Sequence, residues 1–379
     1  MVRRIRPGGV VACVAICLLL VICGCQKDRA TAPAATVEPP AQAAVATEPS
    51  VAPPVENAPP EATPDVPEAE AVVVEPNEGG PKVRLVLGFA PGQVATYKVT
   101  TEAEKRVEWM GSESARPANY SGGRSGNRVE ITFEQRVQEV RDNGNAVLEI
   151  TIRALKYAGQ VQDRVVFEFD SSKTQDQDNE LAALIGKSYG LEMSPQGKVV
   201  ALVGMESVRQ AVKAGSPAQS VASKLFLEEV VRDRHEVPPL SALKEGQARP
   251  GQSWSDLKSY TFGEMGLKGF ERVYTLKQVT AEDGRRALVE MKAIPSAAMA
   301  EEMHKRQGAS LPPGLFDNTE DYQGRLDFDL DAGRIREYGE EMWTEWVIVD
   351  PAAMQGTAQP AALKMGARRL YRLELVQTP

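Results

Sequence analysis

From residue 82 to the C-terminus, apolar side chains recur at every second position in run after run. This alternation restricts the chain to half-buried strands. Ala146, Leu148, Ile150 and Ile152 alternate with Val147, Glu149, Thr151 and Arg153. Val129, Ile131 and Phe133 alternate with Glu130 and Thr132, and Val165, Phe167 and Phe169 follow the same rule. Near the C-terminus, Tyr371, Leu373 and Leu375 alternate with Arg372 and Glu374. Successive strand side chains point to opposite faces, so period two with one polar face predicts antiparallel sheet with one dry side. Turn signals separate the runs: Asp142-Asn143-Gly144, Pro195-Gln196-Gly197, Glu282-Asp283-Gly284 and Asp331-Ala332-Gly333.

Helical spacing is confined mainly to the middle. Residues 205–214 and 218–232 show it, with Val221, Leu225 and Val230-Val231 on one apolar side and Pro238-Pro239 ending the second helix. Shorter helices are expected over 295–306 and around 179–185. The flanks of this middle look related. Pro91-Gly92-Gln93 with Tyr97 matches Pro250-Gly251-Gln252 with Trp254. Asn143-Gly144 before Ala146–Ile150 matches Asp283-Gly284 before Ala287–Met291. Gln196-Gly197-Lys198-Val199 matches Ala332-Gly333-Arg334-Ile335. The order is the same in both flanks, which suggests a weak duplication. The expected fold is mainly β (α+β), with two related curved antiparallel-sheet halves, 82–203 and 247–379. A helical connector, 204–246, joins them.

The N-terminus reads as an export signal. Arg3, Arg4 and Arg6 precede an apolar run from Val10 to Ile22, followed by small Gly24. That run is short of the ~20 residues a spanning helix needs, which disfavours an uncleaved membrane helix. Ile22-Cys23-Gly24-Cys25 resembles the lipobox of bacterial lipoproteins. The resemblance implies cleavage after Gly24 and acylation of Cys25, whereas Cys23 follows bulky Ile22. A single acyl chain holds a membrane only marginally, so stable anchoring implies a multiply acylated Cys25. All four cysteines, Cys13, Cys17, Cys23 and Cys25, lie in this leader. The expected mature domain therefore has no disulfide, thiol nucleophile or cysteine metal site. These readings place the protein in the cell envelope, facing the periplasm or exterior, and Gln26 after the cysteine favours the outer membrane.

Residues 25–81 read as the lipidated N-terminus and a disordered linker. From Gln26 onward this stretch holds 12 of the chain's 26 prolines, with 10 acidic and 2 basic residues. Pro39-Pro40, Pro53-Pro54 and Pro59-Pro60 block helix, and the negative charge opposes packing. Extended, the segment could reach on the order of 170 Å, enough to lift a domain off a membrane. It offers no PxxP cluster with basic residues, which weakens a reading as a partner ligand. The chain's formal charge is −8. Leader and linker account for most of it, leaving about −3 on residues 82–379. A nearly neutral domain lacks the basic field that nucleic-acid binding requires.

Leu184-Ile185-Gly186-Lys187-Ser188, Met193-Ser194-Pro195-Gln196-Gly197-Lys198-Val199-Val200, Gly204 and Pro250-Gly251-Gln252-Ser253-Trp254 together resemble an uncharacterised family of bacterial exported lipoproteins. The resemblance covers most of residues 83–379. It implies no activity and carries over no catalytic residues, because its motifs mark turns and strand starts.

Motifs that imitate known chemistry fall short on inspection. Gly186-Lys187-Ser188 lacks the earlier glycine of a phosphate loop, where Leu181 stands, and reads as a helix end running into a strand. Asp327, Asp329 and Asp331 before Gly333 imitate a calcium loop. Ala332 and Tyr338 occupy its required glycine and glutamate positions, so strand and hairpin are preferred over a weak surface cation site. His235 and His304 are the chain's histidines and lack helical ligand spacing, and His235 is expected at a solvated helix end. No Gly-x-Ser-x-Gly elbow occurs. Glu301 and Glu302 are adjacent on the expected 295–306 helix and so do not face each other. Residues 120–126, Gly-rich, are expected to form a mobile loop. Trp343 and Trp346 should lie on opposite strand faces, one of them in the core. No catalytic, cofactor-binding or metal residue is assigned, and no cofactor is expected. The expected function is a membrane-tethered, non-enzymatic binding or structural lipoprotein, for an apolar ligand or an envelope protein. The alternatives are a hydrolase with dispersed carboxylates, such as a glycan hydrolase, or a subunit of an envelope assembly.

Overall fold

The alternating runs pair into one large antiparallel sheet. A computed structural model describes residues 81–379 apart from 117, 119, 263–266, 282–283, 297–315, 350–361 and 378–379. The leader and the linker up to residue 80, with Gly24 and Cys25, lie outside the described residues, as do Glu301, Glu302 and His304.

In chain order the sheet strands are β2 (Val94–Trp109), β3 (Gly123–Val140), β4 (Ala146–Val161), β5 (Arg164–Asp170), β6 (Ser188–Met193) and β7 (Val199–Val203), then β9 (Ser253–Thr261), β10 (Leu267–Thr280), β11 (Arg286–Pro295), β12 (Phe316–Asp329), β13 (Arg334–Val349) and β14 (Ala362–Gln377). Their spatial order is β7-β6-β4-β3-β2-β14-β13-β12-β11-β10-β9, with β5 also on β4. Every pairing is antiparallel, and β2 joins β14 at the middle. A short ribbon of β1 (Val83–Arg84) and β8 (Gln247–Ala248) lies apart from this sheet. Between β7 and β8 in sequence come α1 (Met205–Gln210), α2 (Pro217–Leu225), α3 (Glu228–His235) and α4 (Pro238–Ser241).

Period two decides which face is dry. Leu148, Ile150, Ile131, Phe133 and Val99 are buried on one face with Tyr274, Phe328 and Tyr338. The opposite face carries cross-strand ion pairs such as Arg153–Glu134 (2.7 Å), Lys98–Glu374 (2.8 Å) and Arg372–Glu337 (2.7 Å). Exposed pairs of this kind contribute about 0–1 kcal/mol each. Their larger effect is to keep that face wet and unsuited to a second layer.

The helices cover part of the dry face. Ser216 caps α2 by accepting from Gln219 N–H at 3.1 Å, with Pro217 in the first turn. The expected 218–232 helix is instead two: the chain leaves helical geometry at Phe226 and restarts at Glu228. Pro238 opens α4 rather than ending a helix, because its missing N–H costs nothing in a first turn. The segment around 179–185 is a short 3-10 helix, Glu180–Leu184, capped by the Asn179 side chain. The expected helix from 295 is corrected at its start, since Pro295 ends β11 and Ser296 N–H donates to the Gly269 carbonyl at 2.9 Å, and from 297 on it lies outside the described residues. The Gly-rich segment is likewise corrected: from Gly123 it is already strand β3, paired with β2.

The helical segment reaches both ends of the sheet. Tyr189 of β6 pairs with His235 of α3 at 2.6 Å, and Trp254 of β9 donates to the Pro239 carbonyl at 2.9 Å. Tyr371 of β14 donates to the Arg234 carbonyl at 2.8 Å, and Lys258 of β9 holds Asp233 at 3.2 Å.

The two Pro-Gly-Gln segments form the same local structure. Gly92 and Gly251 both take positive φ, 82° and 86°. Gly92 N–H donates to Val137 O at 2.8 Å, and Gly251 N–H to Leu276 O at 2.7 Å. Val137 and Leu276 return the bond to the Gln93 and Gln252 carbonyls at 2.9 and 3.0 Å. Both side-chain amide oxygens accept from a backbone N–H three residues earlier. Both partner strands shift register at this point.

Candidate functional site

Beneath the helices lies a cavity of about 340 Å³. Its floor comes from β2, β3, β4, β9, β10, β12, β13 and β14, and its roof from α2, α3 and α4. Val129, Val221, Leu225 and Met342 give it apolar walls, and Tyr260, Tyr322, Tyr338 and Tyr371 add aromatic ones.

The floor is organised by charges inserted into inward strand positions. Arg272 sits in the inner row Phe270, Arg272, Tyr274, Leu276 and is 5% exposed. Its Nε donates to Asp256 of β9 at 2.8 Å, and its Nη1 donates to Glu340 of β13 at 3.0 and 3.3 Å. The Tyr322 and Tyr338 hydroxyls also donate to Glu340, and the Tyr274 hydroxyl reaches Asp256 at 3.3 Å. Tyr260 and Tyr322 share a hydrogen bond of 2.8 Å. Gly324 of β12, opposite Glu340, leaves the space this network needs: a Cβ there would stand 2.7 Å from the Gly339 carbonyl and 3.3 Å from Glu340 Cγ.

Burial sets the protonation of this floor. It raises Tyr260 to about 12 and carries Tyr322, Tyr274 and Tyr371 further up, with the Glu340 charge adding to each. All four hydroxyls therefore keep their protons and can act as donors. Burial alone would pull Arg272 down, but Glu340 and the neighbouring groups outweigh it and hold the guanidinium charged.

The other wall charges divide into paired and unpaired. Asp233 is held by Lys258, while Glu102 is held by Arg128 and Arg368, both at 3.1 Å. Lys224 and Glu236 have no ion-pair partner among the described residues, and neither Arg234 nor Arg369 has a carboxylate partner there. Arg234 is 5% exposed; its Nη2 donates to the Leu225 carbonyl at 2.6 Å, ending α2, and its Nη1 makes no hydrogen bond. Arg369 stacks over Tyr260 at 4.9 Å and over Phe262 at 5.9 Å, and its buried Nη2 makes no hydrogen bond.

His235 corrects an expectation. It is 4% exposed, packed edge-on against Phe133 at 4.8 Å, rather than a solvated helix end. Burial, then the Arg234 charge, lowers its pKa to about 3. Burial likewise raises the Tyr189 hydroxyl beside it, against the pull of Arg234.

The calcium-loop imitation resolves into ion pairs. Asp327 holds Arg286, Asp331 holds Arg285 at 2.7 Å, and Asp329 lies 3.8 Å from Arg334. Among the described residues no three acidic, histidine or cysteine side chains gather to hold a metal. Gly186, at φ 81°, links the 3-10 helix to β6. Trp346 is buried at 4%, while Trp343 on the opposite face is half-buried. None of these segments lines the cavity.

The residues that do shape it escaped the motif search. A signal was present, because Arg272, Glu340 and Arg369 each interrupt an inward-facing apolar row.

A profile described as "Family of unknown function (DUF6263)" matches residues 143–310, spanning the helices, Asp256 and Arg272 but not Glu340 or Arg369. No curated protein matches the sequence. A solved structure titled "Lipid-protein interactions in lipovitellin" is similar over 77% of this chain and 26% of that one, at 11% identity and a TM-score of 0.37. The chain thus spans about a quarter of that structure's length, and a likeness so low carries no functional weight. No helix among the described residues is long and apolar enough to cross a membrane.

Proposed function

We propose that the domain is a small-molecule binding module of the cell envelope, tethered through acylated Cys25 by the 26–81 linker. The observation behind the binding reading is the cavity itself. At about 340 Å³ it falls in the range of small-molecule sites, and it combines apolar walls with a few convergent polar groups. A hydrolytic reading has less support. Asp256 and Glu340, the carboxylates that meet in the floor, share one guanidinium, and tyrosine hydroxyls take up further lone pairs. Each carboxylate is committed to holding strands together.

Native mass spectrometry of the full chain purified from its host tests the binding reading. One small adduct per chain is expected, lost on Val221→Phe, which fills the cavity from α2. A bare mass for the wild-type chain would sink the reading. Attachment is tested separately by labelling with a fatty acid in the host: label should enter the wild-type chain and be absent from Cys25→Ser.

The matching hydrogen bonds at Gln93 and Gln252 also support descent of the two flanks from one duplicated unit. Superposing β2–β4 on β9–β11 should align Val137 with Leu276. A better fit at another register would contradict that descent.

A further inference from the structure

We infer that the cavity takes an amphipathic anion, with a carboxylate or phosphate group held between Arg234 and Arg369 and an apolar body along Val129, Val221 and Leu225. The inference rests on the binding reading above and goes beyond it by specifying the chemistry of the ligand.

Charge pairing carries the argument. The cavity wall holds five cations and five carboxylates, so its total charge does not favour either sign. What differs is which charges already have partners. Asp256 and Glu340 are bound to Arg272, Asp233 to Lys258, and Glu102 to Arg128 and Arg368, while Glu236, its pKa raised by burial, and Lys224 have no ion-pair partner among the described residues. Arg234 and Arg369 have no carboxylate partner among the described residues, and each keeps a buried Nη without a hydrogen bond. A guanidinium stays charged under all ordinary conditions. Leaving its N–H groups buried and unpaired is costly, and an incoming anion relieves that cost with charge-assisted hydrogen bonds.

The surroundings of the two arginines limit the rest of the ligand. Arg369 sits over the Tyr260 ring, 4.9 Å from its centroid, which helps hold it in place. Tyr371, two residues along β14, donates its hydroxyl to the Arg234 carbonyl and so ties α3 to the same strand. Beyond the arginines the roof is Val221 and Leu225, with Val129 on the floor, all buried. A purely inorganic anion would leave these apolar surfaces facing water. A cavity of about 340 Å³ has room for on the order of ten non-hydrogen atoms at ~30 Å³ each, a short-chain or single-ring molecule.

Isothermal titration of the full chain with decanoate, decanol and inorganic phosphate tests the inference. Decanoate should bind one to one. Arg369→Met should weaken it about ten- to a hundredfold, and Arg369→Lys should restore part of the loss. Arg369 is the informative position because Arg234 also closes the end of α2, so its removal could loosen the roof. Decanol binding as tightly as decanoate, unchanged in Arg369→Met, would overturn the anion and leave the cavity reading standing. Phosphate binding as tightly as decanoate would overturn the apolar body. Failure of all three probes to bind would overturn both the inference and the reading beneath it.

Discussion

Acidification should destabilise the domain through His235, and the size of the effect follows from the ring's surroundings. The imidazole is 4% exposed, edge-on to Phe133 and paired with the Tyr189 hydroxyl at 2.6 Å. Its pKa is about 3, against 6.5 for an exposed histidine. Between those values the unfolded chain binds a proton that the folded chain refuses. The stability contribution is therefore complete above about pH 6.5 and is lost as pH falls toward 3. At ~1.36 kcal/mol per pH unit, about 2 kcal/mol is gone by pH 5 and on the order of 5 kcal/mol by pH 3. His235→Phe removes the titration while keeping a ring beside Phe133. It leaves the Tyr189 hydroxyl without its partner, which costs about 1–3 kcal/mol at every pH. The variant should thus be less stable than wild type at pH 7, equal near pH 5, and more stable at pH 4. Urea unfolding followed by tryptophan fluorescence, with both proteins measured from pH 7 to 4 at one ionic strength, makes the comparison. Carboxylate titrations common to both proteins cancel in the difference. A gap between the two proteins that stays constant across this range would refute the reasoning.

Other expectations concern the cavity floor and the outer surface. Arg272→Met leaves Asp256 and Glu340 facing each other without their shared cation, and should cost about 3–5 kcal/mol in denaturant unfolding; the loss should shrink when Asp256→Asn is added. Gly324→Ala places a methyl against the Gly339 carbonyl and Glu340, and should cost about 1–3 kcal/mol; Ala substitution at exposed Gly186 would be a poor control, because its positive φ strains any side chain. Millimolar calcium should leave the melting temperature unchanged, since Asp327, Asp329 and Asp331 are already neutralised by arginines; a rise of several degrees would show that the cation displaces them.

The strands were legible because burial on one face of an antiparallel sheet imposes period two. Ala146, Leu148, Ile150 and Ile152 follow that rule, and all four are buried. Helix ends were less legible. The break between α2 and α3 at Phe226 depends on bonds from neighbouring helices: Arg209 of α1 and Arg234 of α3 donate to the Phe226 and Leu225 carbonyls. His235 misled for a similar reason. Its neighbours Arg232, Asp233, Arg234 and Glu236 are charged, so local composition suggests solvent, whereas the fold turns that side of α3 onto β3 and β6. The cavity was hidden from motif reasoning because its residues come from strands spread across the sheet. Asp256 and Glu340 meet through Arg272, and no spacing along the chain encodes that. What the alternation does encode is the anomaly of a charge in an inward row, as at Arg272 between Phe270 and Tyr274.

The most direct test of the account is a crystal structure of the chain grown with decanoate. Density for one molecule is expected beneath α2 and α3, its carboxylate within hydrogen-bonding distance of Arg234 Nη1 and Arg369 Nη2 and its chain against Val221 and Leu225. A cavity closed by its own side chains, or decanoate lying with its carboxylate away from both arginines, would contradict it.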